Sequence, residues 1–196
     1  MPPTRYGRVA VVAFAVLAIA CGDITRAKAT YTSVLGSFAL YTLTNSPPAV
    51  PNALLFLGGQ TRATSTFSFD VAFDLDADGK PVIYPVATLA GAPAGTQKRI
   101  GLQIIPVTFN DLREVPATGY DTVSAKSVPV GATVAVEMRD PAACYSSNIY
   151  SITSQFVYAK MVIDSVNLST RRLFLRTVID PNCGYRMVVP DSVPTN

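Results

Sequence analysis

An antiparallel β-sandwich of about nine strands, immunoglobulin-like or jelly-roll-like, is the fold this sequence predicts. Three observations predict it. Apolar and polar residues alternate with a period of two, Val, Thr, Phe and Tyr are enriched in the alternating stretches, and 15 Pro and 12 Gly punctuate them at short intervals. Helical periodicity is nearly absent, so the chain reads as all-β. A closed β-barrel is the alternative; a lipid-facing barrel is disfavoured because no aromatic girdles recur at strand ends. No repeat of fixed period is present, which argues against a propeller or solenoid. With 49% hydrophobic and 15% charged residues, the 196-residue chain can bury a core and is poorly suited to disorder.

Taken in order, the expected strands begin at residues 37–43. Residues 45–52 carry three Pro and read as a connection to a strand at 53–57. Residues 66–75 give the clearest alternation, with Phe67, Phe69, Val71, Phe73 and Leu75 on one face and Ser68, Asp70, Ala72 and Asp74 on the other. Asp78-Gly79 suits a tight turn needing positive φ, so this strand should pair with 81–89. Further strands are expected at 98–109, 120–127 and 132–138, with 110–120 as a connection. The strongest hairpin joins 155–165 to 173–179 across Asn167-Leu168-Ser169-Thr170-Arg171, and a last short strand covers 185–189.

Composition excludes much chemistry. The chain contains no His, so it has no Ser-His or Cys-His dyad, no His-ligated zinc and no imidazole proton shuttle. No G-x-S-x-G elbow or S-x-x-K motif supplies a substitute. The formal charge is only +3 and no basic run tracks a phosphate backbone, so nucleic acid is not an expected partner.

The amino terminus reads as an export signal. Arg5 and Arg8 precede an uncharged run at 9–20, which as a helix would extend about 18 Å, short of the ~30 Å hydrocarbon layer. Leu17-Ala18-Ile19-Ala20-Cys21-Gly22 then resembles the lipobox of bacterial lipoproteins, with Ala18 where that family usually has Leu. The resemblance implies that Cys21 becomes the first residue of the mature chain and carries the lipid, a palmitate-type acyl group with a diacylglyceryl unit. Two or more acyl chains hold a protein on a bilayer lastingly. The resemblance also implies an extracytoplasmic protein, with Gly22 after the Cys favouring the outer membrane or cell surface over the inner membrane. Ala18-Ile19-Ala20 and Ala27-Lys28-Ala29 also fit ordinary signal cleavage, which would give an unlipidated secreted chain. The expected organisation is a signal at 1–20, a tether at 21–30, one β domain at 31–189 and a flexible tail at 190–196.

Three Cys is an odd number for an exported chain. If Cys21 carries lipid, Cys144 and Cys183 remain to pair in an oxidising compartment.

Other candidate sites are less specific. Asp74, Asp76 and Asp78, followed by Gly79, look like the opening of an EF-hand-type calcium loop, the one metal suggested here. The twelfth position is Pro85 instead of a bidentate Glu, so a turn is the commoner explanation. Asp70 shares a predicted face with Asp74 and could add a ligand. Asp70, Asp74, Asp76, Asp111 and Asp121 could supply a hydrolase's carboxylate pair, but no spacing selects two of them. Arg171, Arg172 and Arg176, with Lys160 across from Arg176, read as a charged sheet face that discourages edge pairing. Tyr145, Tyr150, Tyr158 and Tyr185 could form an aromatic platform for sugar or peptide near the disulfide. Beyond calcium no cofactor is suggested. The expected partners are the membrane, an envelope protein or a glycan, and the expected role is binding or structural.

Overall fold

Among the described residues, alternating apolar side chains on ten strands are buried by stacking two sheets. The computed structural model describes residues 29–90, 98–140, 144 and 154–195. Its strands are β1 (Val34–Tyr41), β2 (Ala53–Leu55), β3 (Gly59–Thr61), β4 (Val71–Leu75), β5 (Pro81–Pro85), β6 (Arg99–Ile105), β7 (Lys126–Ser127), β8 (Thr133–Arg139), β9 (Phe156–Asn167) and β10 (Arg172–Asp180). They form two five-stranded sheets, ordered β1-β10-β9-β8-β6 and β3-β2-β4-β5-β7. Both sheets are antiparallel throughout and neither closes on itself, so the fold is a β-sandwich and not a barrel.

The core between the sheets follows the two-residue period. Ile100 and Leu102 of β6, Val134, Val136 and Met138 of β8, and Val157, Ala159, Met161 and Ile163 of β9 pack with Val71 and Phe73 of β4 and Ile83 of β5. The opposite face of the larger sheet is also covered. Residues 109–115 and Val188 lie over it and build a second cluster from Phe109, Leu112, Val115, Ala135, Tyr158, Val162, Val178 and Val188. That cover explains why residues 157–163 of β9 are buried without alternation.

The covering layer is fixed by a buried cation. Lys160, only 2% exposed, projects from β9 into this layer and donates to the carbonyl oxygens of Phe109 (2.6 Å) and Leu112 (2.7 Å). Its ammonium also lies 4.8 Å from the Phe109 ring centroid. Lys160 therefore does not stand across from Arg176 on the charged sheet face expected from the sequence. Its register partner is Val178, while Arg176 faces Val162 and holds Asp164 through two bonds of 2.8 and 2.9 Å. A bulge in β9 leaves Asp164 without a register partner, which frees that carboxylate for the guanidinium.

Several expected elements are redrawn by local hydrogen bonding. The strand expected at 66–75 begins only at Val71. Before it, Phe67 donates its N–H to Thr64 and its ring is 40% exposed beneath Arg62. Asp70, expected on a wet face with Asp74, is 2% exposed instead. Its carboxylate accepts the Phe56 N–H at 2.7 Å and meets Lys98 at 3.0 Å, and Lys98 also meets Asp140 at 3.0 Å. This triad joins the chain before β4 in one sheet to the chain flanking β6 and β8 in the other. Burial pushes the Asp70 carboxyl up, opposed by Lys98.

The strand expected at 120–127 is divided between the two sheets. Asp121 bridges to Leu102 of β6, its carboxylate accepts the Val123 and Ser124 N–H groups, and β7 pairs with β5 in the other sheet. Residues 185–189 form a single bridge, Glu114 to Met187, in place of a strand. The tail expected to fray is tied at its start, where Asp191 and Ser192 exchange backbone hydrogen bonds with Ser33.

Candidate binding cleft

The sulfur pair lies at one end of the larger sheet. Cys144 and Cys183 form a disulfide with Cα atoms 5.8 Å apart, joining the chain beyond β8 to the turn after β10. Next to it Asn182, fully buried, accepts the N–H groups of Thr30 and Tyr31 at 2.9 and 3.0 Å and donates to the Tyr31 carbonyl. The start of the described chain is therefore held against the bridged turn. Cys21 lies outside the described residues.

The calcium reading is not supported by the geometry. Asp74 accepts from Thr44 and Arg171 and is 7% exposed. Asp76 folds back on its own turn, where its carboxylate takes the Asp78 and Lys80 N–H groups, and Asp78 lies 3.7 Å from Lys80. Among the described residues no three acidic or Cys side chains gather as a metal site. The residues instead make the turn, with Gly79 at φ 77° as Asp78-Gly79 predicts.

Of the four tyrosines of the expected platform, Tyr158 and Tyr185 fall among the described residues. Tyr145 and Tyr150 lie outside the described residues. Tyr158 and Tyr185 are 7% and 4% exposed, so both serve as packing; the Tyr185 hydroxyl accepts the Ala29 N–H. Tyr158 packs in the cluster beneath the covering layer. Arg171 and Arg172 are likewise engaged, the first by Asp74 and the second stacked over Tyr41 and Phe174.

Among the described residues a different site appears on the same face, at the end of the larger sheet where β6 starts and β8 ends. In register, Arg99 of β6 faces Arg139 of β8, which faces Phe156 of β9; one step along, Gly101, Glu137 and Tyr158 form the next row. By the two-residue period all of these project from the face away from the smaller sheet. The segment 117–122 stands over them as a rim, leaving a cleft of about 590 Å³ lined by Arg99, Gly119, Tyr120, Glu137, Arg139 and Phe156, among others. That volume lies in the ordinary range for small-molecule sites.

Each wall has a sequence cause. Gly101 lets the rim approach: a Cβ there would sit 2.6 Å from the Tyr120 Cβ and 3.1 Å from the Thr122 Cγ2. Gly119 turns the rim at φ 94°, and the Tyr120 hydroxyl donates to the Pro116 carbonyl at 2.7 Å. Gly101→Ala is accordingly expected to push the rim off the sheet and to destabilise the fold by about 1–3 kcal/mol. Urea melts read the cost. Amide-shift changes confined to 117–122 would mark the displacement, and an unchanged melt with unchanged shifts would contradict it.

Charge in the cleft is uneven. The Arg99 guanidinium donates to the Thr122 hydroxyl at 2.8 Å, and Arg139 donates twice to the Gln155 amide oxygen at 3.2 and 3.0 Å. Glu137 is pushed up by burial, against the Tyr158 hydroxyl that donates to it at 3.3 Å and the field of Arg99. Burial, reinforced by Glu137, pushes Tyr158 up to about 12, so its hydroxyl stays a donor. Tyr120 is raised too, first by burial and then by Glu137. The arrangement offers two guanidiniums, one half-buried carboxyl and two aromatic rings around a single small space. No sequence motif marks Arg99, Arg139 or Glu137. Alternation places each on a strand face, but only the β6–β8 register brings Arg99 to residues that lie far along the chain.

Compared with known protein families, curated proteins and solved structures, the chain matches none. Among the described residues no helix is long and apolar enough to cross a membrane.

Proposed function

We propose that this chain is a lipid-anchored extracytoplasmic protein of a bacterial cell envelope that works by binding a small ligand. The observation that carries the reading is the division of its three cysteines. Cys144 and Cys183 form a disulfide, the form thiols take in oxidising compartments, which leaves Cys21 at the end of an uncharged export-type run. A lipid on Cys21 gives that odd residue a use.

The cleft over β6, β8 and β9 favours a glycan- or peptide-binding role over a purely structural one. It also lies at the anchored end of the domain. The Gly184 N–H beside the disulfide donates to the carbonyl of Phe156, a cleft residue, and the adjacent Asn182 holds Thr30 and Tyr31. The eight residues from Cys21 to Lys28 span at most about 29 Å when fully extended, which would keep the cleft near the membrane surface. The Asp-based hydrolase reading finds less support. Asp70 is held by Lys98, Asp74 by Arg171, Asp76 by its own turn, Asp111 by Thr108 and Asp121 by Lys126.

Intact-mass analysis of the full chain from bacterial membranes tests the address. The expected product begins at Cys21 and carries the mass of a diacylglyceryl unit and an acyl chain, and Cys21→Ser abolishes both the added mass and membrane retention. An unmodified wild-type chain beginning at Cys21 or Thr30 would overturn the lipid assignment.

A further inference from the structure

We propose that the cleft binds a sugar acid, its carboxylate gripped between Arg99 and Arg139 and its hydroxyls met by Glu137. The proposal rests on reading the cleft as a binding site. Arg99 and Arg139 are direct cross-strand partners on one face, a placement in which like charges repel and destabilise a sheet. Both are exposed, and among the described residues neither has a carboxylate within ion-pair distance. The neighbouring stretches 91–97 and 141–153 contain no Asp or Glu at all. Among the described residues lining the cleft, Glu137 is the one acid beside Arg99 and Arg139, so the site keeps a net positive charge that an anion from outside suits.

The guanidiniums are held for that purpose by neutral groups. Thr122 takes one N–H of Arg99 and the Gln155 amide oxygen takes two of Arg139, which orients both forks without neutralising them. Each guanidinium carries five donors in a planar fork that matches a carboxylate edge. Glu137 lies two residues from Arg139 on the same face and offsets one of the two positive charges, which suits a singly charged acid better than a dianionic phosphate. Tyr120 and Phe156 border the same space, giving apolar surface against which the C–H face of a sugar ring can pack. An α-amino acid would place its ammonium among the two arginines, whereas a hydroxylated ring offers Glu137 donors with no added positive charge.

The test uses the full chain purified from membranes in detergent and titrated separately with D-glucuronate, D-glucose and glycine, read by calorimetry and by amide shifts. Glucuronate is expected to bind, to weaken as salt rises, and to exceed glucose by at least about tenfold. Arg99→Gln and Arg139→Gln should each lower glucuronate affinity by at least about tenfold while the melting temperature holds or rises as the cross-strand repulsion is relieved, and Arg99→Lys should keep part of the affinity. Equal affinity for glucose and glucuronate, tighter binding of glycine, or variants without effect would overturn the proposal. So would a folded, acylated chain that binds none of the three, and that result would leave the envelope address standing. Glucuronate binding by a chain that carries no lipid would support the ligand assignment and refute the address.

Discussion

Replacing both Cys144 and Cys183 by Ser is expected to cost about 4 kcal/mol and to lower the melting temperature by about 8–16 °C. The bridge closes a loop with a sequence separation of 39 residues, and the chain-entropy account of such a closure gives this size. Structure adds to the loss. The bridged turn carries Asn182, which holds Thr30 and Tyr31, and Gly184, which bonds to Phe156 at the cleft. Loosening the turn should therefore free the first described residues and one cleft wall together. Hydrogen exchange of the double variant should show lost protection at Thr30, Tyr31 and Gly184 before the centre of β9 is affected. A melting temperature unchanged by reductant would contradict the brace.

Lys160→Ala is the second large effect, expected to destabilise by about 3–5 kcal/mol. Two buried carbonyls, those of Phe109 and Leu112, would lose the cation that satisfies both, and a void would open beneath the covering layer. Lys160→Met fills the space yet leaves the carbonyls unmet, so it should recover only part of the loss. The same residue sets a pH dependence. Burial, aided by Arg113, brings Lys160 down to about 8 from an ordinary 10.5, while Asp111 acts the other way. Between those values the unfolded chain holds a proton that the folded chain has released, so stability contributed at this site rises with pH across that window. Wild type should gain on Lys160→Met between pH 8 and 10.5 in urea melts. A difference that stays flat over that range would count against a buried titrating lysine.

The sequence made the sandwich legible where side-chain period and turn chemistry agreed. Asp78-Gly79 forecast the β4–β5 hairpin, and the flanks of Asn167 to Arg171 forecast β9 and β10, both seen with antiparallel register. What escaped was set by distant contacts. β3, Gly59–Thr61, has no apolar signal of its own and exists because β2 offers it an edge. Asp70 and Lys160 look like solvent-facing charges in an alternating stretch, yet each is buried against partners more than a dozen positions away. The cleft is illegible for the same reason. Arg99, Glu137 and Arg139 fall on the correct faces by parity, but nothing local pairs β6 with β8 in that register.

Thiol labelling of the full-length protein, taken from its native compartment, denatured without reductant and exposed to a maleimide, tests the division of cysteines that underlies the address. The expected result is no label at all, with two sites appearing on Cys144 and Cys183 after reduction and none on Cys21. A free thiol at Cys21 would contradict the lipid anchor, and free thiols at Cys144 and Cys183 before reduction would contradict an exported, disulfide-braced domain.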